Sequence, residues 1–208
     1  MPRVLVLAQR AHRAMVADCL THANTEIGGV LPGCTMGDAL VVPFSIPAGP
    51  DAKCTAVRFS PDSGWQQVFL DFLFARFGVD YLGDWHRHPG LFDQPSAHDL
   101  RMARHIVTDA AWNKPEAVFP IAVIEKGQVR MRAYLMRRDN LEFEEIPIQI
   151  LPDTDPRMTA VLTGMDASKK EKLHAEAKTP AVGREPRRNP ARRVLRRIAT
   201  GLRYISRI

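Results

Sequence analysis

The sequence has few cysteines. Cys19, Cys34 and Cys54 are the only three among 208 residues, and no two of them form a Cys-x-x-Cys pair. An odd number of scattered cysteines argues against a disulfide framework and against a structural zinc site made of thiolates. The sequence also lacks the run of about 18 apolar residues that a membrane span needs, and the apolar stretch Val4–Ala8 is too short for a signal peptide. These absences predict a soluble, cytoplasmic protein.

The spacing of the apolar residues predicts an α/β fold. Residues 9–21 and 97–108 have apolar side chains at helical spacing, and a third helix is predicted to begin at Ser60-Pro61 and to continue to residue 77. The predicted strands are 4–8, 27–31, 39–44, 54–59, 80–86, 117–124, 128–137 and 143–150. The strands 27–31 and 39–44 are predicted to flank a turn at Pro32-Gly33. Together these elements predict a mixed sheet with helices packed on it.

The positive charge of the chain is concentrated after residue 152. Residues 153–208 hold 14 Lys and Arg against 6 Asp and Glu, whereas residues 1–152 have a net charge of −2. We therefore expect a domain at 1–152, a flexible linker at 153–189 that is poor in large apolar residues, and a basic amphipathic helix at 190–208. This helix could pack on the domain, bind an acidic protein such as a conjugation partner, rest on anionic lipid or bind nucleic acid.

A histidine pair stands at the end of the predicted strand 80–86. His86 and His88 are two residues apart, so the period of a strand places both imidazoles on the same face. Asp99 follows a Gly- and Pro-containing turn, from which its carboxylate could fold back toward them. Two neutral imidazoles and one carboxylate suit a hydrolytic zinc site with one open coordination position. The alternative is that the histidines are ordinary polar side chains and that Ser96 and Asp99 only cap the helix 97–108.

The combination of these residues resembles a known family. The segment 86–99 reads His86-Arg87-His88-Pro89, then six residues, Ser96, two residues and Asp99. It resembles the metal-binding motif of the JAMM (JAB/MPN+) zinc metallopeptidases, and in particular that of their prokaryotic JAB type. The family also has a glutamate beside a glycine-rich strand, and the segment 25–33, in which Glu26 precedes two glycines, is similar to it. The resemblance covers about residues 1–150 and implies an MPN/JAB-like mixed sheet flanked by helices.

The resemblance also implies a role for each motif residue. His86, His88 and Asp99 would hold Zn²⁺, with a water molecule as the fourth ligand. Glu26 would accept a proton from that water and later deliver it to the leaving amine. Ser96 would donate a hydrogen bond to the oxyanion of the tetrahedral intermediate.

Three residues near the motif have plainer interpretations. Arg87 departs from the Ser or Thr that is common between the two histidines, but strand alternation turns it away from the metal. Asp84 shares the face of the histidines and could orient an imidazole, although a solvated carboxylate is the simpler interpretation. Asp93 lies in the loop after His88 and is interpreted as a turn residue.

The same resemblance implies a substrate. JAMM enzymes cleave after the C-terminal glycine of ubiquitin-like proteins, and a tail without side chains can enter a narrow groove as an added strand. We expect maturation of a ubiquitin-like precursor, removal of the modifier from lysine, or both, in a bacterial ubiquitin-like conjugation system of the antiviral kind, with activating- and conjugating-enzyme-like proteins as further partners. The alternatives are the processing of a sulfur-carrier protein and a non-catalytic MPN scaffold that recruits partners through its basic tail.

Overall fold

The computed structural model describes residues 3–163. None of the helices in this range combines the length and the hydropathy that crossing a membrane requires. The elements, in chain order, are β1 (Val4–Ala8), α1 (Gln9–Thr21), β2 (Ile27–Met36), β3 (Ala39–Val42), β4 (Lys53–Cys54), β5 (Phe59–Ser60), α2 (Ser63–Phe77), β6 (Asp80–Arg87), α3 (Ala97–Thr108), β7 (Glu116–Glu125), β8 (Gln128–Arg137), β9 (Glu144–Ile146), β10 (Ile148–Leu151) and α4 (Pro156–Thr163).

The main sheet is mixed, as the sequence predicts. Its strands lie in the order β10-β1-β3-β2-β6-β7-β8-β9, and β4 and β5 form a separate two-stranded hairpin. β1 runs parallel to both β3 and β10, and β6 runs parallel to β7, whereas the other neighbours are antiparallel. β2 and β6 are therefore adjacent in the middle of the sheet, although about fifty residues separate them along the chain.

The sheet curves around α1. This helix contacts β1, β2 and β10 from one half of the sheet and β7 and β8 from the other. Its inward residues are small or flexible (Ala11, Ala14, Met15 and Cys19), and all four are buried. α3 contacts β7 and β8, while α2 contacts β2, β6 and α4. Most of the apolar residues that predicted these helices from the sequence lie in the hydrophobic core between helices and sheet, whereas Phe72, Phe74 and Met102 are exposed.

The predicted turn at Pro32-Gly33 is wrong. β2 continues to Met36, and the chain turns at Gly37, whose φ of +62° suits glycine. Proline has no N–H to donate to the ladder, and the register with β6 shifts between Leu31 and Pro32. This irregularity lets the strand pass through a Pro-Gly pair that is typical of a turn.

Three other predicted boundaries differ from the structure. The strand predicted at 54–59 is the two short strands of the β4–β5 hairpin. α2 begins at Ser63, because the side chain of Asp62 accepts a hydrogen bond from the Trp65 amide at 3.1 Å and caps the helix there. The strand predicted at 143–150 divides at Pro147, so that β9 pairs with β8 and β10 pairs with β1.

The beginning of the expected linker is ordered against the domain. Residues 156–163 form α4, and its Met158 and Val161 are buried. Asp153 accepts a hydrogen bond from the Arg10 amide at 2.9 Å, which ties the segment to the start of α1. Two apolar residues at helical spacing were enough to add a short helix where the composition indicated a linker. The remainder of the expected linker and the basic helix at 190–208 lie outside the described residues.

Candidate metal centre

The pairing of β2 with β6 brings the two sequence motifs together. Ile27 pairs with Arg87 and Gly28 with His86, so Glu26, directly before β2, lies at the end of the sheet that carries the histidines. Glycine is required at position 28, because a Cβ there would lie 2.3 Å from the Trp85 carbonyl oxygen. The glycine-rich strand start thus permits a close approach between the two strands.

Three side chains converge beyond the end of β6. The Nε2 atoms of His86 and His88 are 2.8 Å apart. Asp99 places Oδ1 3.3 Å from Nε2 of His86 and Oδ2 3.4 Å from Nε2 of His88. One ligand atom from each residue lies within 4.8 Å of the other two. No other group of three His, Cys, Asp or Glu residues in the range 3–163 meets this condition.

The donor set and its spacing suit zinc. Two ligands of a tetrahedral zinc ion lie about 3.3 Å apart, given bonds of about 2.0–2.1 Å. Each oxygen of the Asp99 carboxylate lies at about that distance from one imidazole nitrogen, Oδ1 from His86 and Oδ2 from His88, and the separation of the two nitrogens is a few tenths of an ångström shorter. His86, His88 and Asp99 therefore form a group that could hold a metal ion and leave a fourth position open.

A backbone carbonyl fixes the orientation of His88. Its Nδ1 donates to the carbonyl oxygen of Phe92 at 2.9 Å, so in the neutral imidazole the nitrogen with the free lone pair is Nε2, which faces Asp99 and His86. The ring of Phe92 stacks on the imidazole, with the ring centres 6.0 Å apart. The loop that follows His88 therefore holds the imidazole of this residue in place, through both the carbonyl and the ring of Phe92.

Asp93 anchors that loop to β8, which corrects its interpretation as a turn residue alone. Its carboxylate pairs with Arg130 at 2.9 Å and with Arg132 at 3.4 Å, and its carbonyl oxygen accepts a hydrogen bond from the Tyr134 hydroxyl at 2.9 Å. The sequence contained a signal for this contact, because three hydrogen-bonding side chains at alternate positions of a strand face the same side.

Asp99 is held by the helix that it begins. Ser96 is the N-cap of α3, and its hydroxyl oxygen accepts hydrogen bonds from the amides of His98 and Asp99 at 3.2 and 3.3 Å. In return, Oδ2 of Asp99 accepts from the Ser96 amide at 2.6 Å. This capping box fixes the carboxylate at the helix N-terminus. Capping the helix and holding a metal ion are thus compatible roles for Asp99.

The electrostatics of the site keep Asp99 ionised. Burial alone would raise the pKa of its carboxyl, but hydrogen bonds with His86 and His88 outweigh burial and hold the pKa well below its usual range. Burial would lower the pKa of His88, whereas its hydrogen bonds to Asp99 and to the Phe92 carbonyl, together with the charges of Asp99 and Glu26, raise it. The negative carboxylates therefore favour a positive charge at this place.

Asp84 is not a solvated carboxylate. It accepts a hydrogen bond from the Tyr81 hydroxyl at 2.7 Å, and burial raises the pKa of Asp84 to about 6. It lies two residues before His86 on the same face of β6, and the charge of His86 acts on it in the opposite direction. Asp84 is therefore a half-buried carboxylate on the ligand-bearing face of β6, and its partner is the hydroxyl of the buried Tyr81.

The remaining predicted site residues lie beside the three ligands. Glu26 is half-buried at the start of β2, and its charge contributes to the raised pKa of His88. The Ser96 hydroxyl oxygen is occupied as an acceptor by the helix cap, so its hydrogen remains available to another acceptor. The catalytic roles of Glu26 and Ser96 stay predictions.

Arg87 is the residue whose importance the sequence did not reveal. Strand alternation turns it away from the histidines, as predicted, but its side chain enters the protein and is only 3% exposed. The guanidinium donates to backbone carbonyls in the loop between α1 and β2. An arginine on a strand gives no sequence signal for such contacts, because their acceptors are backbone atoms distant along the chain.

Comparisons with known proteins agree with this arrangement. Residues 8–137 match the family of prokaryotic homologs of the JAB domain. The chain is 31% identical over 153 residues to the probable metalloprotease y4qB of Sinorhizobium fredii, an alignment that covers 66% of this chain and 92% of that protein. It is 29% identical over 125 residues to the CD-NTase/cGAS isopeptidase of Enterobacter hormaechei, covering 59% of this chain and 67% of that protein.

A solved structure shares the fold. The solution structure of protein DSY2949 from Desulfitobacterium hafniense superposes with a TM-score of 0.57 and 23% sequence identity, over 73% of this chain and 95% of that one. The family match covers the elements from the end of β1 to the end of β8, which include every predicted site residue. The chain therefore belongs to the family of prokaryotic homologs of the JAB domain and is a peptidase of the JAB type.

Proposed function

We propose that the protein is a zinc-dependent peptidase or isopeptidase that cleaves after the C-terminal glycine of a ubiquitin-like protein. The observation that carries the proposal is the convergence of His86, His88 and Asp99 at the end of the sheet where the pairing of β2 with β6 also places Glu26. Two imidazoles and a carboxylate with an open position are the ligands of a catalytic zinc ion. Scaffold relatives lack some of these ligands, and this chain has all of them.

Each residue of the site has a separate role in the proposed reaction. His86, His88 and Asp99 would hold zinc, which when bound lowers the pKa of water and polarises a carbonyl group. Glu26 accepts a proton from the water molecule that attacks the scissile carbonyl, and it donates that proton to the leaving amine. Ser96 donates its free hydroxyl hydrogen to the oxygen of that carbonyl as negative charge develops there. Asp93 and the Phe92 carbonyl keep His88 in its ligating orientation.

The substrate class follows from the family and from the name of one relative. The similarity to a CD-NTase/cGAS isopeptidase supports cleavage of an amide bond to a lysine side chain. The resemblance to the JAMM family implies that this occurs in a bacterial ubiquitin-like conjugation system of the antiviral kind. Precursor maturation requires the same cleavage after glycine. The activating- and conjugating-enzyme-like proteins of such a system would be partners in the cytoplasm. The basic segment 190–208 would recruit an acidic protein of the same system.

The test uses the full chain loaded with zinc and ubiquitin-like proteins extended beyond their C-terminal glycine. Cleavage should occur after that glycine, stop on chelation and return with zinc. Glu26→Gln should retain one zinc per chain and lower the cleavage rate at least about 10²-fold. The matched control is Glu142→Gln, an exposed acid outside the site, which should cleave at the wild-type rate. Wild-type cleavage by Glu26→Gln would remove Glu26 from the mechanism.

The same assay separates the alternatives. Cleavage of sulfur-carrier fusions but not of ubiquitin-like fusions would assign the protein to sulfur-carrier processing. Failure to bind zinc, with no cleavage of either class, would favour the scaffold. Deletion of residues 190–208 should leave cleavage of a small fusion unchanged and slow the processing of conjugates if that segment recruits a partner.

A further inference from the structure

We propose that Arg87 is a positioning residue for the general base. Its buried guanidinium holds the peptide unit immediately before Glu26 against the strand that carries the two histidines. The inference rests on the proposed function, because it assumes that the Glu26 carboxylate transfers the proton. It adds a role for a residue inside the metal motif that makes no contact with the metal ligands through its own side chain.

The first observation is what the guanidinium binds. Nη1 of Arg87 donates to the carbonyl oxygens of Thr25 at 2.6 Å and His22 at 3.2 Å, and Nη2 donates to that of Ala23 at 2.6 Å. Among residues 3–163 no carboxylate forms an ion pair with Arg87. The buried charge is therefore balanced by backbone carbonyls that follow the C-terminus of α1, where the helix dipole is negative.

The second observation concerns the peptide unit between Thr25 and Glu26. Its carbonyl oxygen accepts from Arg87 at 2.6 Å, and its N–H donates to the carbonyl oxygen of Thr55 at 2.7 Å. Both polar ends of the unit are thus fixed, one by β6 and the other by the β4–β5 hairpin. A peptide group is planar and includes the Cα atom of the following residue, so two such bonds fix the position of the Glu26 Cα atom, from which the side chain leaves the backbone.

The third observation is the geometry of β6. Residues 86 and 88 present their side chains to one side of the strand and residue 87 to the other, so a single strand locates the metal ligands and the base together. The ladder pairs Ile27 with Arg87, and the guanidinium extends this attachment beyond the end of β2. A displacement of about 1 Å in a catalytic group can cost about 10²-fold in rate. The loop between α1 and β2 makes no other side-chain hydrogen bond to β6 among the described contacts.

A planar fork is needed for these contacts. Arginine can donate from two nitrogens in fixed directions, whereas lysine presents one nitrogen at the end of a flexible stem. Arg87→Lys therefore keeps the charge and most of the volume, but it cannot bind the carbonyls of Ala23 and Thr25 with the same geometry. Arg87→Lys therefore removes the two-nitrogen geometry of the guanidinium and keeps the charge, whereas Arg87→Ala removes both the geometry and the charge.

The experiment measures zinc content, kcat and KM for the full-length variants with a cleavable ubiquitin-like fusion. Arg87→Lys and Arg87→Ala should retain one zinc per chain and an unchanged KM, with kcat lowered by up to about 10²-fold. Guanidinium ion, added below denaturing concentrations, should raise the kcat of Arg87→Ala and leave the wild type and Arg87→Lys unchanged. The control is Arg138→Ala, because the exposed Arg138 likewise donates to backbone carbonyls, that of Val107 in the last turn of α3 and that of Lys114 before β7.

The outcomes distinguish this inference from the proposed function. A folded Arg87→Lys with wild-type kcat, or a loss of kcat that follows loss of zinc in proportion, would overturn the positioning role. If Arg87→Ala does not fold, the kcat of Arg87→Lys decides alone. If Glu26→Gln itself cleaves at the wild-type rate, the assignment of the base fails, whatever the Arg87 variants do.

Discussion

Ser96 is predicted to have two separable roles, as the cap of α3 and as a hydrogen-bond donor in catalysis. Ser96→Ala removes both, because alanine offers no acceptor to the amides of His98 and Asp99. Ser96→Gly also removes the hydroxyl, but glycine is a tolerable N-cap. The two variants therefore have the same chemical loss and different structural losses.

The magnitudes follow from the capping contacts. Loss of a Ser cap to Ala costs about 1 kcal/mol, and replacement by Gly costs only a few tenths of a kcal/mol. For a domain of this size, 1 kcal/mol lowers the Tm by about 2–4 °C. Loss of an oxyanion donor costs about 10²–10³-fold in kcat. We expect Ser96→Ala to have the lower Tm and both variants to have similarly low kcat.

Thermal unfolding and steady-state cleavage of the same preparations test this. Zinc content has to be measured in each variant, because the Ser96 amide also orients Asp99. A Ser96→Gly variant with near wild-type kcat would refute a catalytic hydroxyl and leave Ser96 as a helix cap. A Ser96→Thr variant, which keeps both functions, should retain most of the activity.

Three further predictions follow from the geometry. Asp93→Asn should weaken zinc binding by about tenfold at most, measured by chelator competition, because it releases the loop that holds His88. The same substitution should lower the free energy of unfolding by less than about 1 kcal/mol, and Asp139→Asn, at an exposed position, is its control. Gly28→Ala should destabilise the domain by about 1–3 kcal/mol in denaturant titrations, whereas Gly64→Ala, where a Cβ would only make an ordinary contact at 3.9 Å with Oδ1 of Asp62, should be neutral or stabilising. Zinc affinity should fall as pH decreases through the pKa of His88, which lies above 6.5, because the ligand must lose its proton to bind. Without zinc, the raised pKa of His88 stabilises the fold below pH 6.5, and this stabilisation is lost as pH rises through the pKa of the folded state. Because zinc binds the neutral imidazole, added zinc should raise the Tm more at pH 8 than at pH 6.

Two helices and one long strand could be predicted to the residue from the sequence because their patterns are local. α1 and α3 have the predicted bounds of 9–21 and 97–108, and β8 has the predicted bounds of 128–137. Apolar side chains at helical spacing, or alternating along a strand, decide such elements without reference to the rest of the chain. The mixed α/β class followed from their order.

The elements that were predicted wrongly depend on distant partners. Pro32 and Gly33 continue β2 because β6 pairs with them across a register shift. Residues 156–163 form a helix because the domain offers a surface that buries Met158 and Val161. Local composition contains neither fact, so tertiary contacts overrode the local preference for a turn and for a linker.

The candidate site was predictable in its ligands but not in its supports. The spacing from His86 to Asp99 matched a family motif, and the structure brings these residues together with Glu26 nearby. The arginines that bind Asp93 and the contacts of Arg87 were not predicted, because each joins segments that are separate in the sequence. The bond from His88 to the carbonyl of Phe92 is local, but its acceptor is a backbone atom. Backbone acceptors in particular cannot be predicted from residue type, because every residue has a carbonyl oxygen.

The most direct test of the account is the zinc content of the purified full chain and of Asp99→Ala, measured by native mass spectrometry. Metal occupancy does not depend on identifying the substrate. We predict one zinc ion per chain in the wild type and loss of zinc, or much weaker binding, in Asp99→Ala, because two imidazoles alone hold zinc poorly. A wild-type protein that binds no metal after reconstitution with zinc, or an Asp99→Ala variant that binds it as tightly, would contradict the metal centre.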